Sequence, residues 1–147
     1  GLLCIGDYAF ELCPSLTDIK IPASVTNIGY DSFTGCPNLQ NFICQWTDPS
    51  EVEIPDSLSY FICNIDENQD DFLEEEAQFP ENLLIFVPDG CKDAYFDAWY
   101  VDGSNPDIAE YDWGEALYSI ITEYSDAPLD RIDHLRELYP EIFGTVK

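Results

Sequence analysis

The 147 residues are 46% hydrophobic and 14% aromatic, enough apolar material for one sizeable core, which excludes a chain that is disordered throughout. Thirty Asp and Glu stand against five Lys and Arg, and the formal net charge of −25 repels phosphate backbones, which argues against nucleic acid and anionic membrane as partners. The acidity reads as solubility or adaptation to a salty medium, or else as docking to a basic partner or to cations.

From its first residues the chain repeats itself at a spacing of 23: Ile5-Gly6, Ala9-Phe10, Cys13-Pro14, Leu16, Ile19 and Ile21 return as Ile28-Gly29, Ser32-Phe33, Cys36-Pro37, Leu39, Phe42 and Cys44. A unit this short cannot bury its own apolar face, so successive units must cover one another, as in a solenoid. The steps between Leu16, Ile19, Ile21, Val25, Ile28 and Phe33 fit neither a helix period nor strict alternation, and predict a coil of short strands and turns. Leu16-x-x-Ile19-x-Ile21 is the alternating part, expected to lie as a strand beside Leu39-x-x-Phe42-x-Cys44 at about 4.8 Å. Pro22 ends that ladder. Gly6 and Gly29 each follow an inward Ile and mark a bend, either where a side chain would clash or where φ is positive. Phe10 and Phe33 are expected to fill the far side of the coil. Gly1-Leu2 aligns with Ser24-Val25, so the first unit lacks its strand, and further repeats or another chain are expected over that end.

After Cys44 the period dissolves into Gln45-Trp46-Thr47-Asp48-Pro49 and resumes faintly at Val52, Ile54-Pro55, Leu58 and Phe61-Ile62. Residues 64–78 are dense in carboxylates with few apolar anchors, and predict an exposed acidic loop. Asp66-x-Asn68-x-Asp70 opens like a calcium loop, but Asp71 stands where the turn needs Gly and Ala77 where a bidentate Glu belongs. A solvated loop is the reading, with loose calcium binding as the alternative. Leu83 to Pro88 predicts a short buried strand, after which Asp89 caps a helix through Trp99 with Tyr95, Ala98 and Trp99 inward, an end plate for the coil. Val101 to Asp107, with Gly103 and Pro106, is a break. Asp112 and Glu115 form a capping box ahead of a helical face of Trp113, Ala116, Leu117, Ile120, Ile121 and Tyr124. Pro128 starts a second amphipathic helix of Leu129, Ile132, Leu135 and Leu138, which Pro140 stops, and Ile142 and Phe143 add an apolar turn. The short connection Ser125 to Pro128 predicts an antiparallel helix pair, packed on the end plate or docked on a neighbouring protein. The fold class is therefore α/β: stacked parallel β coils over residues 1–100, with a C-terminal helical extension, 101–147, capping the end.

Cys4, Cys13, Cys36, Cys44, Cys63 and Cys91 show no CxxC or His-paired zinc spacing, and no metal site is assigned to them. Cys13 and Cys36 share a repeat position and are expected to stack as reduced core thiols, with an oxidising compartment left open through Cys63 and Cys91. His134 lies four residues after Asp130 and beside Asp133, which an ion pair on the helix surface explains. The chain has no Gly-rich phosphate loop and no Gly-x-Ser-x-Gly elbow, so no catalytic or cofactor-binding residue is assigned and no enzyme activity is expected.

Residues 16–36 resemble the BspA-like leucine-rich repeats, whose units read roughly Leu-x-x-Ile-x-Ile-Pro-x-Ser-Val-x-x-Ile-Gly-x-x-Ala-Phe-x-x-Cys. Phe42 to Pro49 resembles a degenerate last repeat, and Leu84 to Trp99 resembles the closing segment of such domains. The resemblance implies a curved, one-sided leucine-rich-repeat solenoid, often on microbial cell surfaces and associated with adhesion and protein binding. A protein-binding module, extracellular or at the cell surface, is the expectation, using the strand face or adjoining loops, with Tyr30, Trp46 and Tyr60 as candidate exposed contact aromatics. Ordinary packing is their other reading. The alternative is a structural accessory subunit of a lumenal or intracellular complex, docking through the open first repeat and the C-terminal helices. No stretch reaches the roughly 20 apolar residues that a membrane helix needs.

Overall fold

The computed structural model describes residues 4–29, 32–33, 36–53, 82–99 and 113–144. Its strands are parallel and fall into two ladders. β1 (Cys4–Ile5) pairs with β3 (Asn27–Ile28), matching Ile5 to Ile28, and Asn27 pairs onward with Glu53, so a third winding follows the first two. β2 (Asp18–Ile21), β4 (Asn41–Cys44), β5 (Leu84–Val87) and β6 (Ile121–Glu123) form the second ladder in the order β2-β4-β5-β6. Ile19 lies beside Phe42 and Ile21 beside Cys44, as the 23-residue period requires.

The far side of the coil follows the same register. Phe10 and Phe33 stack with ring centroids 5.2 Å apart and planes 5° from parallel, and Phe33 meets the edge of Phe42 at 5.1 Å. Backbone bonds tie one winding to the next: Phe10 donates its N–H to the Ser32 carbonyl at 2.8 Å, and Gly29 donates to the Ile5 carbonyl at 2.8 Å. Phe33 is fully buried, whereas Phe10 is only half-buried. Gly29 serves close approach rather than a positive φ, because a Cβ there would lie 2.5 Å from the Asp7 backbone nitrogen. Gly6 has open space around it.

Cys4, Cys13, Cys36, Cys44 and Cys91 are free thiols. Cys36 donates to the Phe10 carbonyl at 3.0 Å across the winding, and burial pushes the Cys36 and Cys44 thiols up, so both stay neutral as packing groups.

Side chains alternate across the second ladder and give the sheet two covered faces. Ile21, Phe42, Cys44, Ile85, Val87 and Ile121 point into the main core with the repeat interior. α1 (Lys92–Trp99) and α2 (Trp113–Ile120) close that side, inserting Tyr95, Trp99 and Leu117. On the opposite face Ile43 and Phe86 form a second core with Leu135 of α3 (Leu129–Leu138) and Phe143 of the one-turn α4 (Pro140–Phe143).

Several elements differ from the sequence reading. The C-terminal stretch is not purely helical: α2 stops at Ile120, and Ile121-Thr122-Glu123 leaves the helix to pair with β5, so β6 rather than β5 is the last strand. A β-branched pair beside an otherwise unpaired strand edge is better satisfied in the ladder than in another helical turn. A 3₁₀ turn at Tyr124–Asp126 follows, so no helix hairpin spans Ser125 to Pro128. α3 does not rest on the end of the stack; it lies over the outer strand face, because Ile43 and Phe86 are apolar positions that need cover. Leu129, expected on the inward stripe, is 90% exposed. Asp89 does not cap α1. Its Oδ1 accepts from the Ser125 N–H at 2.9 Å, while Glu123 Oε2 takes the Gly90 and Lys92 N–H groups at 2.7 and 3.3 Å. The acidic loop 64–78, Cys63, the calcium-like stretch from Asp66 and the proposed cap Asp112 lie outside the described residues. Among the described residues no helix is long and apolar enough to cross a membrane.

Candidate docking surface

A stack of short windings offers surface rather than a deep pocket, and the flat outer face of the sheet is its broadest part. The register sets its rows. Lys20, Ile43, Phe86 and Thr122 form one, and Asp18, Asn41 and Leu84 the next. With strands about 4.8 Å apart, four of them span roughly 15 Å.

That face is occupied by the chain itself. Leu135 and Phe143 bury the apolar pair, Phe86 meeting the Phe143 ring edge-on at 5.5 Å, with Ile132, Tyr139 and Ile142 around them. Tyr124 donates its hydroxyl to the Cys44 carbonyl where the covering segment begins. Polar fastenings frame the apolar centre. Lys20 Nζ reaches Glu141 at 2.9 Å and lies 5.7 Å from the Tyr139 ring centroid. Arg131 donates to the Gln40 carbonyl at 2.9 Å, to Asn41 Oδ1 at 3.3 Å, and to the Asn82 carbonyl, joining the starts of β4 and β5.

His134 pairs with neither Asp130 nor Asp133. Its Nε2 lies 3.1 Å from Asp18 Oδ1 on β2, because α3 turns that side chain toward the strand face rather than along its own surface. Burial pushes the Asp18 carboxyl up, but hydrogen bonds from Asn41 at 2.6 Å, Thr17 at 2.8 Å and His134 outweigh it and hold the group below its ordinary value.

Trp46 is a correction to the candidate contact residues. The indole is 5% exposed, donates to the Val25 carbonyl at 2.7 Å and packs edge-on against Trp99 at 6.2 Å, while its own carbonyl accepts from the Tyr95 hydroxyl at 2.6 Å. A large ring on the coil just past the last regular strand fills the gap between the second winding and α1, so it is core rather than surface. Tyr30 and Tyr60 lie outside the described residues.

The structure exposes other apolar groups that the sequence reading missed. Tyr8 and Leu12, 59% and 47% exposed, sit on one turn with φ of 62° and 57°. Non-Gly residues rarely adopt that left-handed conformation. The repeat held a clue for one of them, since Leu12 occupies the position that the next unit gives to Gly35.

Parallel strands, stacked turns and flanking helices define a mixed α/β repeat protein. The sequence model of the family described as BspA type Leucine rich repeat region (6 copies) matches residues 3–65, so the repeat region has the relationship that its residues resembled. Leucine-rich repeats of this kind generally mediate protein–protein interaction and are typically not enzymes. No curated protein matches the chain.

Proposed function

We propose that this chain is a non-catalytic protein-binding module of an extracellular or surface-associated adhesion or binding protein, its repeats forming a short solenoid that presents surface to a partner. The observation that carries the reading is the stacking of Phe10 on Phe33 together with the β2–β4 register, which supports residues 4–53 as a repeat scaffold. Support for a surface location comes from the family match, whose repeats are often surface-associated. The exposed Tyr8 and Leu12 add an apolar turn of the kind that partners cover.

Cross-linking mass spectrometry on native material tests the proposal. Links from residues 4–53 to one recurrent foreign protein are the expected result; a chain that yields none on its repeats is not a binding module. A structural accessory subunit is the second reading, favoured by Leu129 and Leu138, 90% and 46% exposed on α3. Native mass measurement separates the two, because an accessory subunit stays in a fixed complex while a binding module is also recovered free.

A further inference from the structure

Cations in this chain are scarce and unevenly placed. Of five Lys and Arg, Lys20, Arg131 and Arg136 all lie at the seam between the outer strand face and α3–α4, together with the one His, His134. The seam thus holds the described surface where positive charge meets the strand starts and their Asp18 carboxylate.

The segment that covers this face is a poor match for it. Over Leu129–Phe143 it carries Asp130, Asp133, Glu137 and Glu141 against Arg131 and Arg136, so an acidic segment lies on a molecule of formal net charge −25. Such like-charge crowding works against a compact state. Only Leu135 and Phe143 of the segment are fully or nearly fully buried, and Asp130, Asp133, Glu137 and Leu138 face solvent. Its ion pairs are exposed as well: Lys20 and Glu141 keep 34% and 51% of their side-chain surface, and His134 keeps 53%. Exposed pairs of this kind hold little. Before it runs Ala127-Pro128, a connection outside any helix or strand, so the segment can lift as one piece while β6 stays paired to β5.

We propose that the outer strand face is a docking site for a basic amphipathic helix of a protein partner, and that α3–α4 is its internal occupant, displaced when the partner binds. The proposal rests on the protein-binding reading above and names the partner's chemistry. The face selects three things: an apolar pair to fill the Ile43–Phe86 centre, a cation over Asp18 where His134 now sits, and a polar side free of the carboxylates that α3 carries. A basic helix meets all three and is also steered toward an acidic molecule. Self-occupancy lowers the apparent affinity by the fraction of time that the face is uncovered.

The probe is a fluorescent peptide of residues 128–144 with Asp130, Asp133 and Glu137 replaced by Lys, titrated into the whole chain by anisotropy, beside a scrambled peptide of the same composition. The designed peptide is expected to bind at least roughly tenfold tighter than the scrambled one, and roughly tenfold tighter again to Phe143→Asp, whose cover is loosened. Hydrogen exchange should show amides of 129–143 losing protection on binding while β4 and β5 keep theirs. Equal binding of the two peptides, or binding without that loss, overturns the proposal. Should Phe143→Asp fail to fold, exchange on the unaltered chain decides: 129–143 must open before β4 and β5, and opening only together with them makes the cover a fixed part of the core. A chain that cross-links a partner through its repeat turns yet ignores the peptide loses this proposal and keeps the protein-binding reading.

Discussion

Phe33 sits at the junction of two windings, fully buried between the flat face of Phe10 and the edge of Phe42. Phe33→Ala removes both ring contacts and leaves a cavity, and is expected to cost about 3–5 kcal/mol. Phe10 has one of those contacts and stays half-exposed, so Phe10→Ala should cost clearly less, an order that urea denaturation of the two variants checks. The glycines make the opposite kind of pair. A Cβ on Gly29 would run into Asp7 Oδ1 and lie 2.8 Å from the Gly6 carbonyl carbon, and backbone on that side cannot yield freely. Gly29→Ala is expected to destabilise by about 1–3 kcal/mol, while Gly6→Ala should be close to neutral. Equal effects in a thermal melt would show that the repeat position, rather than the neighbouring winding, sets the requirement. Both pairs occupy identical places in the repeat, so their differences were not legible from the period; they arise from which winding lies alongside.

Among the elements, α1 shows how far local signals reach. Its existence and its inward Tyr95 and Trp99 followed from Leu83 to Trp99, yet the residue at its N-terminus is not the Asp three places upstream. Glu123 arrives from β6, 33 residues later, and takes two N–H groups that the first turn leaves open. Glu123→Ala should lower stability by about 0.5–2 kcal/mol and speed exchange of the Gly90 and Lys92 amides, whereas Asp89→Ala should leave those two amides unchanged. The strands carried a signal as well. Asn41-Phe42-Ile43-Cys44 and Leu84-Ile85-Phe86-Val87 lack the alternation of a half-exposed strand, which is the mark of burial on both faces. That run foretold a second cover without saying what it was. The apolar spacing of α3 was legible only in part: Ile132 and Leu135 turn to the sheet, but Leu129 does not.

At the scale of the molecule, a formal charge of −25 on 147 residues makes self-repulsion a standing cost that simple salt relieves. The urea midpoint is therefore expected to rise between about 0.02 M and 0.5 M sodium chloride, as the Debye length falls below the spacing of surface carboxylates. A falling midpoint would mean that the few attractive pairs, Lys20 with Glu141 and His134 with Asp18, outweigh the repulsion.

The amino-acid sequence by itself determined the winding of residues 4–53: which side chains face inward, which strand lies beside which, and the stacking of the phenylalanines. A fixed period does this because each unit's neighbour is always the next copy, so one offset describes every contact. The tertiary structure alone decided what covers the outer strand face, where Trp46 goes and what His134 touches. Those contacts join residues 21, 80, 116 and 121 positions apart, from Trp46 and Val25 to Lys20 and Glu141, and no repeat unit encodes a partner outside itself. They form because two outward apolar side chains, Ile43 and Phe86, must leave water, and the segment beyond β6 is the part of the chain that reaches them.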